Sequence, residues 1–122
     1  MGRQIFEGLK VADFSWAAAG PQVGRELAEH GATVIHVESH THLDPLRTFQ
    51  PFKDAKPGVD RGAFYCEYNT NKLSMSVDLA KPRGREIARQ LVKWADLVTE
   101  SMAPGAMAEM GLDYESCRQL NP

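Results

Sequence analysis

The stretch VADFSWAAAGPQVGRELAEHGATVIHVE, residues 11–38, decides the fold of this 122-residue chain. The apolar residues around its start predict a buried strand over residues 9–14, and ATVIHV predicts a second strand over residues 32–37. Between them, the apolar spacing of PQVGRELAEH, with its proline in a first turn, predicts a helix over residues 21–30. Because only a helix separates the two strands, we expect parallel pairing through a right-handed crossover.

The rest of the chain alternates strand and helix patterns again after an irregular excursion over residues 39–61, where three prolines interrupt any periodicity. Residues 62–69 fit a short helix or a strand equally well. The later patterns are strands over 73–79 and 96–100, a helix over 81–95, and short helices over 104–112 and 113–120. We therefore expect an α/β fold in a single domain, 1–122, with a Rossmann-like, mainly parallel sheet and flanking helices.

The composition is that of an ordinary globular protein, with 43% hydrophobic residues, 25% charged residues and a net charge of −2. It has no basic face of the kind that indicates a nucleic-acid partner. No apolar run approaches the roughly 18 residues of a membrane-spanning helix, and the start lacks the apolar core of a signal peptide. We expect a cytoplasmic protein that does not contact membranes, with Cys66 and Cys117 as free thiols.

The turn after the first strand holds three successive alanines, Ala17, Ala18 and Ala19, where a dinucleotide-binding protein has its glycine fingerprint. The spacing of Gly20 and Gly24 does not match that fingerprint, which argues against a nicotinamide cofactor. Small side chains let a ligand approach the main chain, and the start of the following helix favours a phosphate group. The same small residues also suit close packing of a strand against a helix, so the turn alone leaves both interpretations open.

Four blocks of sequence, in order along the chain, resemble the family III CoA-transferases. This family includes formyl-CoA transferase, the carnitine and bile-acid CoA-transferases and α-methylacyl-CoA racemase. The blocks cover residues 7–38, 44–52, 69–87 and 95–122. The resemblance implies chemistry on CoA thioesters of carboxylic acids: either coenzyme A moves between carboxylates through an aspartyl intermediate, or an α-methyl acyl thioester is epimerised. The sequence does not decide between transferase and racemase.

The same resemblance implies that coenzyme A, free or as an acyl thioester, contacts three parts of the chain. The implied contacts are Ala17, Ala18 and Ala19 in the turn, Val77, Asp78 and Leu79 at a strand end, and Met102 and Ala103 after the last strand. Asp78 also suits a solvated strand end. Trp16, beside the alanine turn, either covers a ligand or packs in a core or an interface.

Several positions where the family carries basic residues hold other residue types in this chain. They are Ser39, Leu73, Ala80 and Glu109. Because each lost charge-assisted hydrogen bond costs on the order of 1.5–3 kcal/mol, we expect weakened binding of coenzyme A unless other cations compensate. The candidates are Arg47, Lys72, Lys81 and Arg83, which equally suit a solvated surface.

The catalytic aspartate of the family, and the His and Asp that move the proton in the racemases, lie beyond the aligned blocks. No aspartate of this chain is assigned that role, and we expect no turnover from the chain alone. The resemblance thus implies the coenzyme-A-proximal, amino-terminal part of an enzyme; the alternative is a degenerate, non-catalytic paralogue or interaction subunit. Because family members form interlocked dimers, we expect a homo-oligomer or a second chain that supplies the rest of the fold.

Potential metal ligands between residues 36 and 44 form the main competing constellation. They are His36, Glu38, His40, His42 and Asp44, which strand-like alternation would place on one side of an extended segment. Their spacing matches no standard zinc signature, and the family implies no metal. We therefore expect a solvated loop without a metal ion.

Overall fold

A four-stranded parallel sheet forms the centre of the computed structural model, which describes residues 2–122. The strands are β1 (Lys10–Asp13), β2 (Thr33–Glu38), β3 (Leu73–Ser76) and β4 (Leu97–Thr99), in the spatial order β3-β2-β1-β4. The helices are α1 (Ala19–Glu29), α2 (Ala63–Tyr68), α3 (Pro82–Trp94), α4 (Ala106–Glu109) and α5 (Tyr114–Leu120). The expected α/β fold with a mainly parallel sheet is confirmed.

The β1–α1–β2 unit follows the predicted pattern closely. Asp13 at the end of β1 pairs in register with His36 on β2, which brings two polar side chains together at the carboxyl edge of the sheet. Helix α1 begins at Ala19, two residues before the predicted start, so the alanine run itself enters the first turn. After α1, Gly31 adopts a φ of 107°, a left-handed conformation that glycine accepts without steric cost.

The two faces of the sheet bury separate apolar clusters, as expected for strands that are covered by helices on both sides. Val11 and Val34 pack with Ala28 of α1 on one face. The larger cluster on the other face combines Ala12, Phe14 and Val37 with α3 residues Ala88, Leu91 and Val92, and with Met107 and Leu112. The register of β1 and β2 thus alternates between the two layers.

Helix α3 approaches the end of β3 more closely than any side chain would permit. A Cβ atom built on Gly84 would lie 1.9 Å from the carbonyl oxygen of Asp78. The glycine is therefore required by packing, because the helix main chain lies directly against the 78–79 segment. Its position in the predicted helix thus has a steric explanation.

The predicted excursion contains two short 3-10 turns, Pro45–Thr48 and Lys53–Ala55. The undecided residues 62–69 contain helix α2. The side chain of Asp113 caps α5 by accepting the Ser116 N–H. Over residues 2–122, none of the helices is both long and apolar enough to span a bilayer.

Candidate functional site

A cleft of about 270 Å³ opens at the carboxyl edge of the sheet. Segments that follow all four strands contribute to its walls, with Trp16 after β1, Ser39 after β2, Leu79 after β3 and Met102 after β4. Arg85 of α3 completes the lining on one side. In open α/β sheets the carboxyl ends of parallel strands are the usual place for ligands, so this cleft is the candidate site.

The cleft brings together four of the eight residues that the sequence analysis proposed as coenzyme A contacts. They are Val77, Asp78, Leu79 and Met102. The other four, Ala17, Ala18, Ala19 and Ala103, are solvent-exposed and lie outside this lining. The strand–helix packing considered for the turn is carried by Gly20, where a built Cβ would lie 2.3 Å from the Ser15 Cβ. The alanines themselves are left uncovered.

Trp16 forms one wall of the cleft. Its indole Nε1 donates a hydrogen bond of 3.1 Å to the main-chain oxygen of Val37, which fixes the ring against the end of β2. The ring stacks on His42 with a centroid distance of 6.4 Å and an interplanar angle of 25°. The side chain therefore lines a candidate ligand surface and is held there from one edge.

Ser39, Ala80 and Glu109, three of the four positions where the resemblance implied a basic residue, line this same cleft. Arg85, which lines the cleft too, was not among the predicted contacts. Its Nε donates to the main-chain oxygen of Leu79 at 2.9 Å, so the guanidinium braces the wall formed by the segment after β3. The sequence pattern does not single out Arg85, because a charged residue is ordinary at a polar position of an amphipathic helix.

Beneath the alanine turn lies a buried polar cluster made of Asp13, His36, Asp44 and Lys72. Each of the four side chains is at most 1% exposed. Asp13 accepts hydrogen bonds from Lys72 Nζ at 2.9 Å and from His36 Nδ1 at 3.3 Å. Burial by itself would raise the pKa of Asp13, but the His36 hydrogen bond and the Lys72 charge hold it well below its usual range.

Lys72 is not a solvated residue, and it is not available to compensate for missing ligand contacts. Besides Asp13, its Nζ donates to the carbonyl oxygen of Pro21 at 2.8 Å and to Asn69 Oδ1 at 3.0 Å. An ammonium group has three donors, and all three are used. Lys72 thus fastens the first turn of α1 to the end of β1.

Arg47 is likewise committed within the protein, and the solvated-surface interpretation is wrong for it as well. Its side chain is 11% exposed, pairs with Glu38 and lies 3.6 Å from the Tyr65 ring centroid. Burial favours a raised pKa for Glu38, yet the hydrogen bonds from Arg47 and Tyr65 lower it to about 2. Lys81 and Arg83 are exposed and do not line the cleft.

Asp44 supports the alanine turn from below. Its Oδ1 accepts the main-chain N–H of Ala17 at 3.2 Å and that of Leu46 at 2.9 Å. Ala17 has a φ of 65°, so Asp44 stabilises a left-handed residue at the centre of the turn. Within residues 2–122, Asp44 Oδ2 and His36 Nε2 have no hydrogen-bond partner and lie 3.8 Å apart. Burial raises the pKa of Asp44.

The potential metal ligands of residues 36–44 do not form one site. His36 and Asp44 belong to the buried polar cluster and Glu38 is paired with Arg47, so the expectation of a solvated loop is wrong for these three. His40 is exposed. Among residues 2–122, no three His, Cys, Asp or Glu side chains converge as metal ligands would.

A model of CoA-transferase family III matches residues 6–122. The chain is 39% identical over 117 residues to a succinate–glutarate CoA-transferase of Agrobacterium fabrum, an alignment that covers 94% of this chain. It is 40% identical over 118 residues to the BbsE subunit of a succinyl-CoA:(R)-benzylsuccinate CoA-transferase of Thauera aromatica, with 97% covered. A crystal structure of a CAIB/BAIF family protein from Brucella suis superposes with a TM-score of 0.87 at 36% identity, over 99% of this chain.

The chain spans less than a third of the length of these relatives. The alignments cover 29% of the Agrobacterium protein, 28% of the Thauera protein and 32% of the Brucella structure. The similarity therefore describes one α/β portion of longer polypeptides.

Proposed function

The chain belongs to CoA-transferase family III, and from that premise we propose that it forms the coenzyme-A-facing, amino-terminal part of an enzyme acting on CoA thioesters of carboxylic acids. The relatives described above are CoA-transferases for succinate, glutarate or benzylsuccinate, which favours CoA transfer over racemisation. The observation that supports the proposal most is the convergence of Val77, Asp78, Leu79 and Met102 in one cleft at the carboxyl edge of the sheet.

The cleft suits one end of the coenzyme. Its volume of about 270 Å³ is close to the lower limit of roughly 300 Å³ for small-molecule sites, so it accommodates a part of the coenzyme and not the whole. Trp16, Leu79 and Met102 provide apolar walls of the kind that accept a purine ring or an alkyl chain. Coenzyme A would supply the reactive thiol; the residues of this chain bind and orient it.

The alanine turn forms the second part of the proposed binding surface, with Ala17, Ala18 and Ala19 on its exposed side. Helix α1 begins there without a side-chain cap and without an acidic residue in its first turn, so its main-chain N–H groups favour an anionic group. Ala103 is proposed as a further contact from the segment after β4. Asp44 and Lys72 act as positioning residues, because they hold the turn from inside the protein.

We assign no catalytic residue to this chain. Binding and orientation are its part of the reaction, and the groups that form or break bonds come from elsewhere in the complete enzyme. The edge position of β4 in the sheet and the exposure of Leu97 and Tyr114 support association with a second copy or a further polypeptide. A cytoplasmic location stays a prediction.

A titration of the 15N-labelled 122-residue chain with coenzyme A tests the binding proposal. We expect dissociation constants in the millimolar range or tighter, with the largest amide and indole shifts at Trp16, residues 77–79 and Met102. Ala80→Trp fills the cleft from an exposed position and should weaken binding at least tenfold.

Ala108→Trp is the matched control, because Ala108 is also exposed but does not line the cleft. It should leave the affinity unchanged. An absence of shifts at millimolar ligand would support the alternative, a non-catalytic module that does not bind coenzyme A. Equal affinities for the two tryptophan variants would place any binding outside the cleft.

A further inference from the structure

The charges that line the cleft are poorly matched to a phosphate monoester. Of the residues 2–122 described, the lining includes the carboxylates of Glu38, Asp78 and Glu109 and a single guanidinium, that of Arg85. Glu38 pairs with Arg47, and Asp78 pairs with Lys81, whose Nζ lies 3.5 Å from Asp78 Oδ2, so Glu109 is the carboxylate that offsets the single guanidinium of the lining. A phosphate monoester carries a charge of about −1.5 to −2 at neutral pH, and at this cleft it would find no cation that is not already matched by a carboxylate.

The one cation of the lining is already engaged in the protein. Besides its 2.9 Å hydrogen bond to the Leu79 carbonyl, Arg85 points Nη1 at the Glu109 carbonyl oxygen from 3.5 Å. Turning the guanidinium toward a phosphate would release the wall that the hydrogen bond to Leu79 holds. Ser39 and Ala80, on two other walls, add no charge.

The carboxylates are better suited to a free ribose. In dinucleotide-binding sheets a carboxylate at the carboxyl edge accepts hydrogen bonds from ribose hydroxyls, whereas a phosphate on the ribose requires an arginine instead. Asp78 lies at that edge. The main-chain N–H of Ala80 donates a hydrogen bond to the Asp78 carboxylate, and this bond is the main reason that the pKa of Asp78 is lowered. An ionised carboxylate accepts from a hydroxyl and repels a phosphate.

We propose that this cleft selects a carrier thiol without a phosphate on its ribose, of which dephospho-coenzyme A is the simplest. The inference rests on the proposed function, since it names the form of the carrier that the same cleft takes. The apolar walls hold the base, Asp78 accepts from the free ribose hydroxyls, and Glu109 disfavours the phosphorylated form.

Parallel titrations of the 122-residue chain with coenzyme A and with dephospho-coenzyme A test the inference, using calorimetry and the shifts of Trp16 as readouts. We expect dephospho-coenzyme A to bind at least tenfold more tightly at low ionic strength, and the ratio to fall with added salt. Equal or tighter binding of coenzyme A overturns the inference and leaves the proposed function standing. No binding of either carrier at millimolar concentration overturns both.

Charge reversal at one lining residue locates the selectivity. Glu109→Arg should reduce the preference at least tenfold, through a gain in affinity for coenzyme A. Glu115→Arg makes the same change at an exposed position of α5 outside the cleft and should leave the ratio unchanged. An unchanged ratio in Glu109→Arg, or an equal change in the Glu115 variant, contradicts the assignment of selectivity to this cleft.

Discussion

The buried polar cluster and the cleft lie at the same edge of the sheet, yet their charges are compensated in different ways. In the cluster, Asp13 is matched by Lys72 and His36 and is withdrawn from water. In the cleft, Asp78 and Glu109 have no such buried partner. The difference indicates a division of labour: the inner charges hold the shape of the edge, and the outer ones determine which ligand it accepts.

The largest expected effect comes from breaking the inner region at its centre. Asp13→Ala removes the acceptor for Lys72, His36 and Thr99 at once. Removing one partner of a buried ion pair costs about 3–5 kcal/mol, so we expect a loss of that size in the free energy of unfolding, measured in urea. Asp60→Ala is the control, because Asp60 is 88% exposed although it also pairs with an arginine.

A small effect of Asp13→Ala, close to that of Asp60→Ala, would contradict the division of labour. It would mean that Lys72 finds solvent or another acceptor once Asp13 is gone. The unfolding curve decides this without any ligand, so the result is independent of the binding proposal.

Acid should weaken the protein through Glu38. Its pKa is lowered from 4.5 to about 2, so its contribution is complete above pH 4.5 and is lost as the pH falls toward 2; the difference corresponds to roughly 3 kcal/mol. We expect the stability gap between the wild type and Glu38→Gln to be constant above pH 5 and to close by that amount near pH 2. Urea unfolding at a series of pH values measures it. A gap that does not narrow contradicts the role of the Glu38–Arg47 pair.

Gly84→Ala tests the outer region through its backbone. The added methyl group would overlap the Asp78 carbonyl oxygen, and overpacking of this kind costs about 1–3 kcal/mol. We expect this loss in unfolding together with weaker carrier binding, because the wall formed by residues 77–79 must move. Arg83→Ala, on the exposed side of the same helix, should change neither quantity. If Gly84→Ala is destabilised but binds the carrier as tightly as the wild type, the wall formed by residues 77–79 does not contribute to carrier binding.

The smallest effect is expected at Asp44, and it allows the two buried aspartates of the cluster, Asp13 and Asp44, to be compared. Because burial raises the pKa of Asp44, the folded state favours its protonated form, and that advantage is lost as the pH rises through the folded pKa. Asp44→Asn keeps the oxygen that accepts from Ala17. We expect a change within about 1 kcal/mol at pH 5 and a variant at least as stable as the wild type at pH 8. A loss as large as that of Asp13→Ala would indicate an ionised Asp44 paired with His36.

The sequence predicted the sheet well because the patterns that identify strands and helices involve residues close together in the chain. Apolar periodicity identified β1, α1 and β2, and the order of the resembling blocks identified the residues that converge at the end of β3. The buried cluster was missed because its members are far apart: Lys72 is 59 residues from Asp13, and no spacing rule connects them. One signal was present, since a charged residue at the end of a buried strand requires a partner.

The strand order has a consequence for biosynthesis. Strand β1 is completed early on one side by β2, but its other neighbour, β4, is the last of these four strands to be translated, and the contact between Asp13 and Thr99 spans 86 residues. A chain still emerging from the ribosome therefore presents a bare, apolar strand edge until β4 has been translated. Premature termination anywhere before residue 97 would leave that edge permanently unpaired, and we expect chaperones and proteases to bind such products.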